Sequence, residues 1–544
     1  MAQTYNYDST NKALEISGDG SSTTKVLSTS IAPGGTIPGS SSTFWETTTV
    51  TLKDITAMVN PGSTNAIAPV SSTNSVSLKL VNATLTTRSA IDGSGHPQTI
   101  IIDENSKLRL IGNTSLLQGT DRIQNNGHIE QSVLGINNDV YLWASKGKSS
   151  GVGCSGILGG TGKITHTSPG TTVTTTNSTG LISYDKEISD LKITGDYTVD
   201  MDNVVTRSNG FVAGINTATG QTDLKMDLTG SLTVNAEQAT AIGILANSMG
   251  DSLGVRTAKD FSGTLTVKGK KAYGIKLVGN SATTPSGFIQ DATSGDIGNI
   301  KIGALNVTGI GDSATGIFAN IIRQELSAEN ITVNGVNSAK GIQLTNGTDI
   351  DRGKLIKIDN LTVNATASTS SGADNSIAYG ILSGTTSETT GSYVANGSIE
   401  ELYLSNLNVS AGAAAYGIIA IDMSDTSNGY LGDITVVATE GTAYGIKVDW
   451  ANINVTGNIT ATGATLASGI TAEDLYLGLL DGASITATTT GENATECSAI
   501  HVTNNFLIRK GPNATETVNA TFTGDVFATN IYSMYGRRFR PATF

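Results

Sequence analysis

Short apolar and polar runs alternate along most of this chain. From about residue 205 an apolar–polar–apolar triplet recurs: Leu232-Thr233-Val234, Leu265-Thr266-Val267, Leu305-Asn306-Val307, Ile331-Thr332-Val333, Leu361-Thr362-Val363, Leu407-Asn408-Val409 and Ile434-Thr435-Val436. Successive side chains of a strand point to opposite faces, so the two apolar members of each triplet share one face. In most copies a second unit follows, a small residue, a variable residue, Gly and Ile, with its Gly seven to nine residues beyond the last Val. Its clearest copies are Ala272-Tyr273-Gly274-Ile275, Ala378-Tyr379-Gly380-Ile381, Ala415-Tyr416-Gly417-Ile418 and Ala443-Tyr444-Gly445-Ile446. The glycines of the series are Gly214, Gly243, Gly274, Gly316, Gly341, Gly380, Gly417, Gly445 and Gly469. They lie 24 to 42 residues apart, about 32 on average, which is a solenoid period.

One such unit cannot bury its apolar face alone. Stacking the next unit on it pairs the strands in parallel and closes a continuous stripe of Val, Leu and Ile. The pattern predicts an all-β chain whose body, residues 205–510, is a parallel β-helix. Each Gly belongs at a corner of the coil or where neighbouring backbones approach closely. The Ala two positions before it suits a narrow interior, and Asn and Thr at repeated positions suit ladders between coils. An array of β-sandwich domains would need stronger hairpin signals at closer spacing.

Residues 1–204 have strand runs without the full signature: Thr49–Leu52, Val76–Leu80, Thr99–Ile102, Lys107–Leu110 and Leu191–Ile193. This region is an irregular start of the same helix, a cap, or a separate β domain. Residues 511–544 are expected to cap or dock, because solenoid ends present unpaired strand edges.

Charge narrows the partners. The chain has 544 residues and a net charge of −13, which argues against a nucleic-acid face. Its one basic cluster is Arg537, Arg538 and Arg540. The two cysteines, Cys154 and Cys497, exclude a disulfide framework and a Cys-x-x-Cys metal site by count. No window is long and apolar enough for a membrane helix, and the start shows no signal peptide. The 64 glycines and the abundant Thr, Ser and Asn fit an exported or surface-exposed protein.

The Ala-Tyr-Gly-Ile and Leu-Thr-Val repeats, set among turns rich in Ser, Thr, Asn and Gly, resemble the passenger regions of bacterial autotransporters over residues 205–505. The resemblance implies a right-handed parallel β-helix displayed on a Gram-negative surface, as an adhesin or self-associating protein. The chain departs from that family in lacking a signal peptide and a translocating barrel.

Candidate chemistry is sparse. Gly250-Asp251-Ser252-Leu253 matches an esterase string and Gly311-Asp312-Ser313 a serine-protease loop, but His96, His128, His166 and His501 sit in no partner motif. Both strings read as turns. The pairs Asp200/Asp202, Asp349/Asp351 and Asp422/Asp425 are spaced to share a strand face, as a glycan-cleaving β-helix would need, yet they too read as turn residues. No cofactor is expected. Ca²⁺ at irregular turns is the one metal that Asp and Asn would suit. Fifteen Asn-x-Ser/Thr sequons, among them Asn82, Asn306, Asn360, Asn408, Asn454 and Asn519, are near the chance number. The expected function is non-enzymatic: extracellular adhesion or self-association, with a host-surface protein or glycan, or other copies of the chain, as partner. The alternatives are a self-assembling subunit of a surface layer, filament or phage appendage, and a polysaccharide-active enzyme.

Overall fold

The structure is a computed structural model. It describes residues 3–27, 49–59, 76–88, 91–92, 98–112, 117–118, 120–133, 135–136, 139–144, 157–167, 172–183, 191–207, 210–217, 223–224, 226–249, 259–278, 296–297, 300–322, 325–348, 355–367, 375–386, 393–395, 397–424, 429–510, 520–535 and 538–541. Among these residues there is no helix, and so none long and apolar enough to cross a membrane. The chain is a parallel β-helix. It divides into two compact units: Met1–Asn247 with Lys259–Gly269 and Asn280–Ala292, and Ser248–Ala258 with Lys270–Gly279 and Thr293–Phe544.

In the first unit, parallel coil-to-coil pairing already begins at Ala13–Ser17 against Thr49–Lys53 and continues through Val76–Val81, Gln98–Ile102, Thr120–Asn125, Ile157–Gly159, Leu191–Ile193 and Met226–Leu228. A second ladder runs from Thr56–Val59 to Asp196–Asp200 and the start of Ser231–Ala246. The runs in residues 1–204 thus form regular coils. They lack the Gly-Ile mark because other residues fill that part of the coil: Trp143, Tyr141 and Leu142 are buried in Val140–Ala144. The first strand, Thr4–Asp8, folds back antiparallel onto Ala13–Ser17 and covers that edge. Asp8 Oδ1 braces the turn by accepting the backbone N–H groups of Thr10 (2.9 Å) and Asn11 (3.1 Å).

In the second unit the apolar–polar–apolar triplets lie within Ile300–Gly309, Glu325–Gly335, Leu355–Ala365, Leu402–Ala411 and Tyr430–Ala438, paired in register. The apolar members point inward, as in Leu361, 1% exposed, and Val363, 0%. Each buried Leu, Ile or Val of this kind contributes about 1.5–3 kcal/mol relative to exposure. The Gly-Ile units form a facing ladder through Ser313–Ile322, Ser338–Thr348, Ile377–Thr386, Ala414–Ile419, Thr442–Lys447, Leu466–Ala472 and Glu496–Lys510. Coiling continues past residue 511. Thr521–Thr523 and Asp525–Tyr535 pair in parallel with the preceding coil, and Arg538–Pro541 returns antiparallel over the last strand.

Candidate binding face

The glycine series explains which side chains face outward. In Thr442–Lys447 the residues Ala443, Gly445 and Ile446 are buried, while Thr442, Tyr444 and Lys447 are half-buried. Two successive inward residues break strand alternation, so the coil turns at the Gly–Ile bond. Pairing skips the glycine there, running Tyr416↔Tyr444 and then Ile418↔Ile446. A Cβ on Gly417 would lie 2.2 Å from the carbonyl oxygen of Gly445. On Gly380 it would meet the Gly417 oxygen at 2.4 Å and the Leu407 and Val409 side chains at 2.9 and 3.1 Å. The corner glycine is therefore required by close approach on two sides: the next coil's backbone and the facing apolar triplet. The same clash recurs at Gly214, Gly274, Gly316, Gly341, Gly445 and Gly469, with the nearest backbone oxygen at 2.4–2.7 Å. None of these glycines is among those with positive φ.

The residue before each corner glycine points outward, and register stacks these residues. Tyr379, Tyr416 and Tyr444 form a column, with ring centroids 5.1 and 5.6 Å apart and planes within 8° and 2° of parallel. Tyr393, on a short strand that folds back antiparallel to Ile377–Thr386, packs edge-on against Tyr379 and Tyr416. Leu382 and Ile419, outward in the neighbouring column, complete this small apolar cluster. Lys447 Nζ lies 4.6 Å from the Tyr444 ring centroid and 5.6 Å from that of Tyr393. Burial pushes all four tyrosine hydroxyls above their ordinary range, Tyr393 to about 12 with help from the Asp449 carboxylate.

Below Lys447 the same outward column continues through Thr471, His501 and Phe527 on successive coils. The tyrosine column continues as Ser468, Ser498 and Asp525. The Phe527 ring is 54% exposed and sits 5.2 Å from the His501 ring. His501 Nδ1 is 2.6 Å from Glu496 Oε1, and the Ser468 and Thr471 hydroxyls are 2.7 Å apart.

The triplet strands present a different face. Asn360 Nδ2 donates to Asn330 Oδ1, and Asn406 Nδ2 to Asn360 Oδ1, each at 3.0 Å. Alongside, Asn364 Nδ2 donates to Asn334 Oδ1 (3.0 Å) and Ser410 Oγ to Asn364 Oδ1 (2.7 Å). Many sequons follow from this geometry. In Asn330-Ile331-Thr332, Asn360-Leu361-Thr362 and Asn458-Ile459-Thr460 the Asn and Thr are neighbouring outward positions of one strand. Asn82, Asn306 and Asn408 are exposed; Asn454 is 2% exposed and donates to Gly429 O.

The catalytic candidates do not assemble into a triad among the described residues. Asp312 bonds in a turn to Asn337, and the histidines go elsewhere: His128 to Thr165, His166 to Thr179 and His501 to Glu496. Asp200 and Asp202 do come together; burial, then the Asp202 carboxylate, raises the Asp200 carboxyl. Asp202 braces the next coil, accepting Asn235 Nδ2 at 3.1 Å and the Glu237 N–H at 3.2 Å. Asp422 accepts from Ser398 Oγ at 3.4 Å. The partly buried Cys497 thiol donates to Ala487 O. Residues 250–253, Asp349, Asp351, Asp425, His96, Cys154, Asn519 and Arg537 lie outside the described residues, as do the side chains of Arg538 and Arg540. Among the described residues, no group of three or more His, Cys, Asp or Glu is placed to hold a metal ion.

Two features escape a reading centred on glycine: the tyrosine column and the His501–Phe527 pair. The first had a signal, since Tyr recurs at one repeat position. The second lies partly beyond the last Gly-Ile copy and had none. Comparison with protein-family models, with curated proteins and with solved structures finds no match to the chain.

Proposed function

We propose that this chain is a non-enzymatic extracellular contact protein, of the kind displayed by bacterial autotransporters, that works in adhesion or self-association through the outward columns of its coils. The carrying observation is the register. Outward side chains repeat at the coil spacing of about 4.8 Å on a backbone held by pairing on both sides. The aromatic column Tyr379, Tyr416, Tyr444 and the amide column Asn330, Asn360, Asn406 are such arrays. A solenoid makes its contacts along surfaces of this type, where many weak interactions add without a deep pocket.

Self-association, where it occurs, is lateral in this reading. The antiparallel strands Thr4–Asp8 and Arg538–Pro541 each cover one strand edge, that of Ala13–Ser17 and that of Tyr532–Tyr535, which disfavours addition of strands there. The test is sedimentation velocity of purified chain over a wide concentration range, with retention of chain-coated beads on cell, matrix-protein and glycan surfaces. The reading expects concentration-dependent association or specific retention. A monomer at every concentration that is retained on none of these surfaces would overturn it.

A further inference from the structure

We infer that one outward face of the first unit, built around Lys107, Arg109 and Lys163, is a docking surface for an acidic polysaccharide, a polymer with carboxylate or sulfate groups along its length. The inference rests on the reading of the chain as a contact protein and names one of its partners.

Register assembles this face from residues far apart in sequence. Thr84, Lys107, His128 and Lys163 form one outward column on four successive coils, and Thr86, Arg109, Glu130 and Thr165 form the column beside it. None of the eight is buried, and Arg109 and Lys163 are exposed. Lys107 and Lys163 stand two coil steps apart, roughly 10 Å between backbones.

Three cations meet one carboxylate here. Lys107 Nζ lies 2.5 Å from Glu130 Oε2 and Arg109 Nε 3.5 Å from the same oxygen. Because Nε makes that approach, the outer edge of the Arg109 guanidinium stays open. Lys163 forms no ion pair among the described residues. Asp196, the next residue of its column, instead accepts from Ser231 Oγ on the following coil at 2.6 Å. Burial, then the Lys107 charge, holds the His128 ring below its ordinary pKa; Lys163 and Arg109 add to this, and Glu130 alone opposes it. Like charges stacked in register destabilise a sheet. A chain of net charge −13 nonetheless collects them on this face. A polyanion laid across the coils supplies the missing counter-charge. At about 0.1 M salt, charges beyond about 10 Å are screened, so the ligand meets this local surplus rather than the net charge of the chain.

The arrangement selects among polyanions. The surface is an unbroken parallel sheet, so its ligand has to spread over several coils and gather weak contacts in series. Arg109 matches the planar fork of a carboxylate or the oxygens of a sulfate, Lys107 and Lys163 act as point charges, and the hydroxyls of Thr84, Thr86 and Thr165 are spaced between them for sugar hydroxyls. A single-stranded nucleic acid fits less well, because among these eight residues only the His128 imidazole offers a ring for stacking bases.

The test is retention of purified full chain on immobilised polygalacturonate and dextran sulfate, with neutral dextran, DNA and phosphatidylserine vesicles alongside. The chain should bind one or both acidic polysaccharides and not dextran. Affinity should fall about tenfold between about 100 and about 400 mM NaCl, because the contacts are exposed charges. Lys163→Gln should weaken binding several-fold, and Arg109→Gln with Lys163→Gln about tenfold or more. Lys301→Gln removes the same charge from an exposed pair with Glu329 in the second unit and should leave binding unchanged. Since Arg109 and Lys163 are exposed, circular dichroism and the denaturation midpoints of their variants should match the parent. Absence of binding to both acidic polysaccharides, a loss with Lys301→Gln equal to that with Lys163→Gln, or tighter binding to DNA or vesicles overturns the assignment. If the chain in that event still self-associates or is retained on cell or matrix-protein surfaces, the contact reading stands without it; if it does neither, that reading falls too.

Discussion

Tyr416 and Tyr444 lie face to face on successive coils, their ring centroids 5.6 Å apart and their planes 2° from parallel. The stack exists because Gly417 and Gly445, the next residue of each strand, turn the coil at the same place and keep the tyrosines in register. Packing inside the coil thus dictates chemistry outside it.

Removing the middle ring should unfasten the cluster. Tyr416 touches Tyr379, Tyr444 and Tyr393. Tyr416→Ala should destabilise the second unit by about 3 kcal/mol, from lost burial and three lost ring contacts. Tyr416→Phe keeps all three rings and should cost under about 1 kcal/mol. Urea denaturation checks the magnitudes. Hydrogen exchange should show faster opening of Tyr393–Ala395, whose packing rests on this ring.

The corner glycines separate two reasons for needing glycine. Gly417→Ala puts a methyl carbon 2.2 Å from the Gly445 oxygen, and neither backbone can move without breaking coil pairing. We expect a loss of more than about 3 kcal/mol, or failure to accumulate folded protein. Gly482 has φ +83 and nothing within 4 Å of a built Cβ. Its alanine variant should lose only about 1 kcal/mol, from backbone strain alone. Comparable losses at the two sites would mean that close approach is not what Gly417 serves.

How much of this was legible in the sequence follows from what each residue does. Leu361 and Val363 announced their strand because alternation alone sends both inward. Gly380 announced a special position because the motif repeats, but not that its Cβ would collide with Leu407 and Val409. That fact depends on which strand faces it across the coil. Residues 1–204 do not announce their coils in the sequence because Leu142 and Trp143 stand in register with the later Gly214 and Ile215, so the same corner carries another pattern. Phe527 was invisible as a site residue. Its meaning comes from pairing with His501, 26 residues earlier, in a short in-register stretch between two register shifts of the partner strand, at Ser498/Ile500 and at Val502/Asn505.

The amide ladder makes a polarity prediction. Asn360 both donates to Asn330 and accepts from Asn406. Asn360→Asp keeps the acceptor but sets a carboxylate oxygen against Asn330 Oδ1. It should cost about 1 kcal/mol above pH 5, less once the carboxyl is protonated, because an acid can donate again. Denaturation midpoints at pH 7 and pH 3.5, each referred to the parent chain, measure both halves. A loss independent of pH would exclude the donor argument.

His166 makes the first unit sensitive to acid. The ring is 0% exposed, and burial holds its pKa at about 3, against 6.5 for a free imidazole. Thr179 Oγ1 donates to Val140 O at 2.7 Å, so it accepts from His166 Nε2–H, leaving Nδ1 as the bare nitrogen. Nδ1 has no hydrogen-bond partner among the described residues, and neither polar atom of the in-register Gln131 side chain has one. A proton arriving at Nδ1 would create a charge with no partner. Below pH 6.5 the unfolded chain binds that proton and the folded chain refuses it until about pH 3, so stability falls as pH drops through this window. The full neutral-pH contribution is present above 6.5, and the loss approaches roughly 4–5 kcal/mol near pH 3, reduced by any residual structure in the unfolded state. His166→Leu removes the titrating group while Thr179 keeps its bond to Val140. The difference in unfolding free energy between His166→Leu and the parent, followed from pH 7.5 to pH 4, should therefore grow in the variant's favour as the pH falls. A difference that stays flat across that range would show that His166 takes up its proton in the folded chain as readily as in the unfolded one.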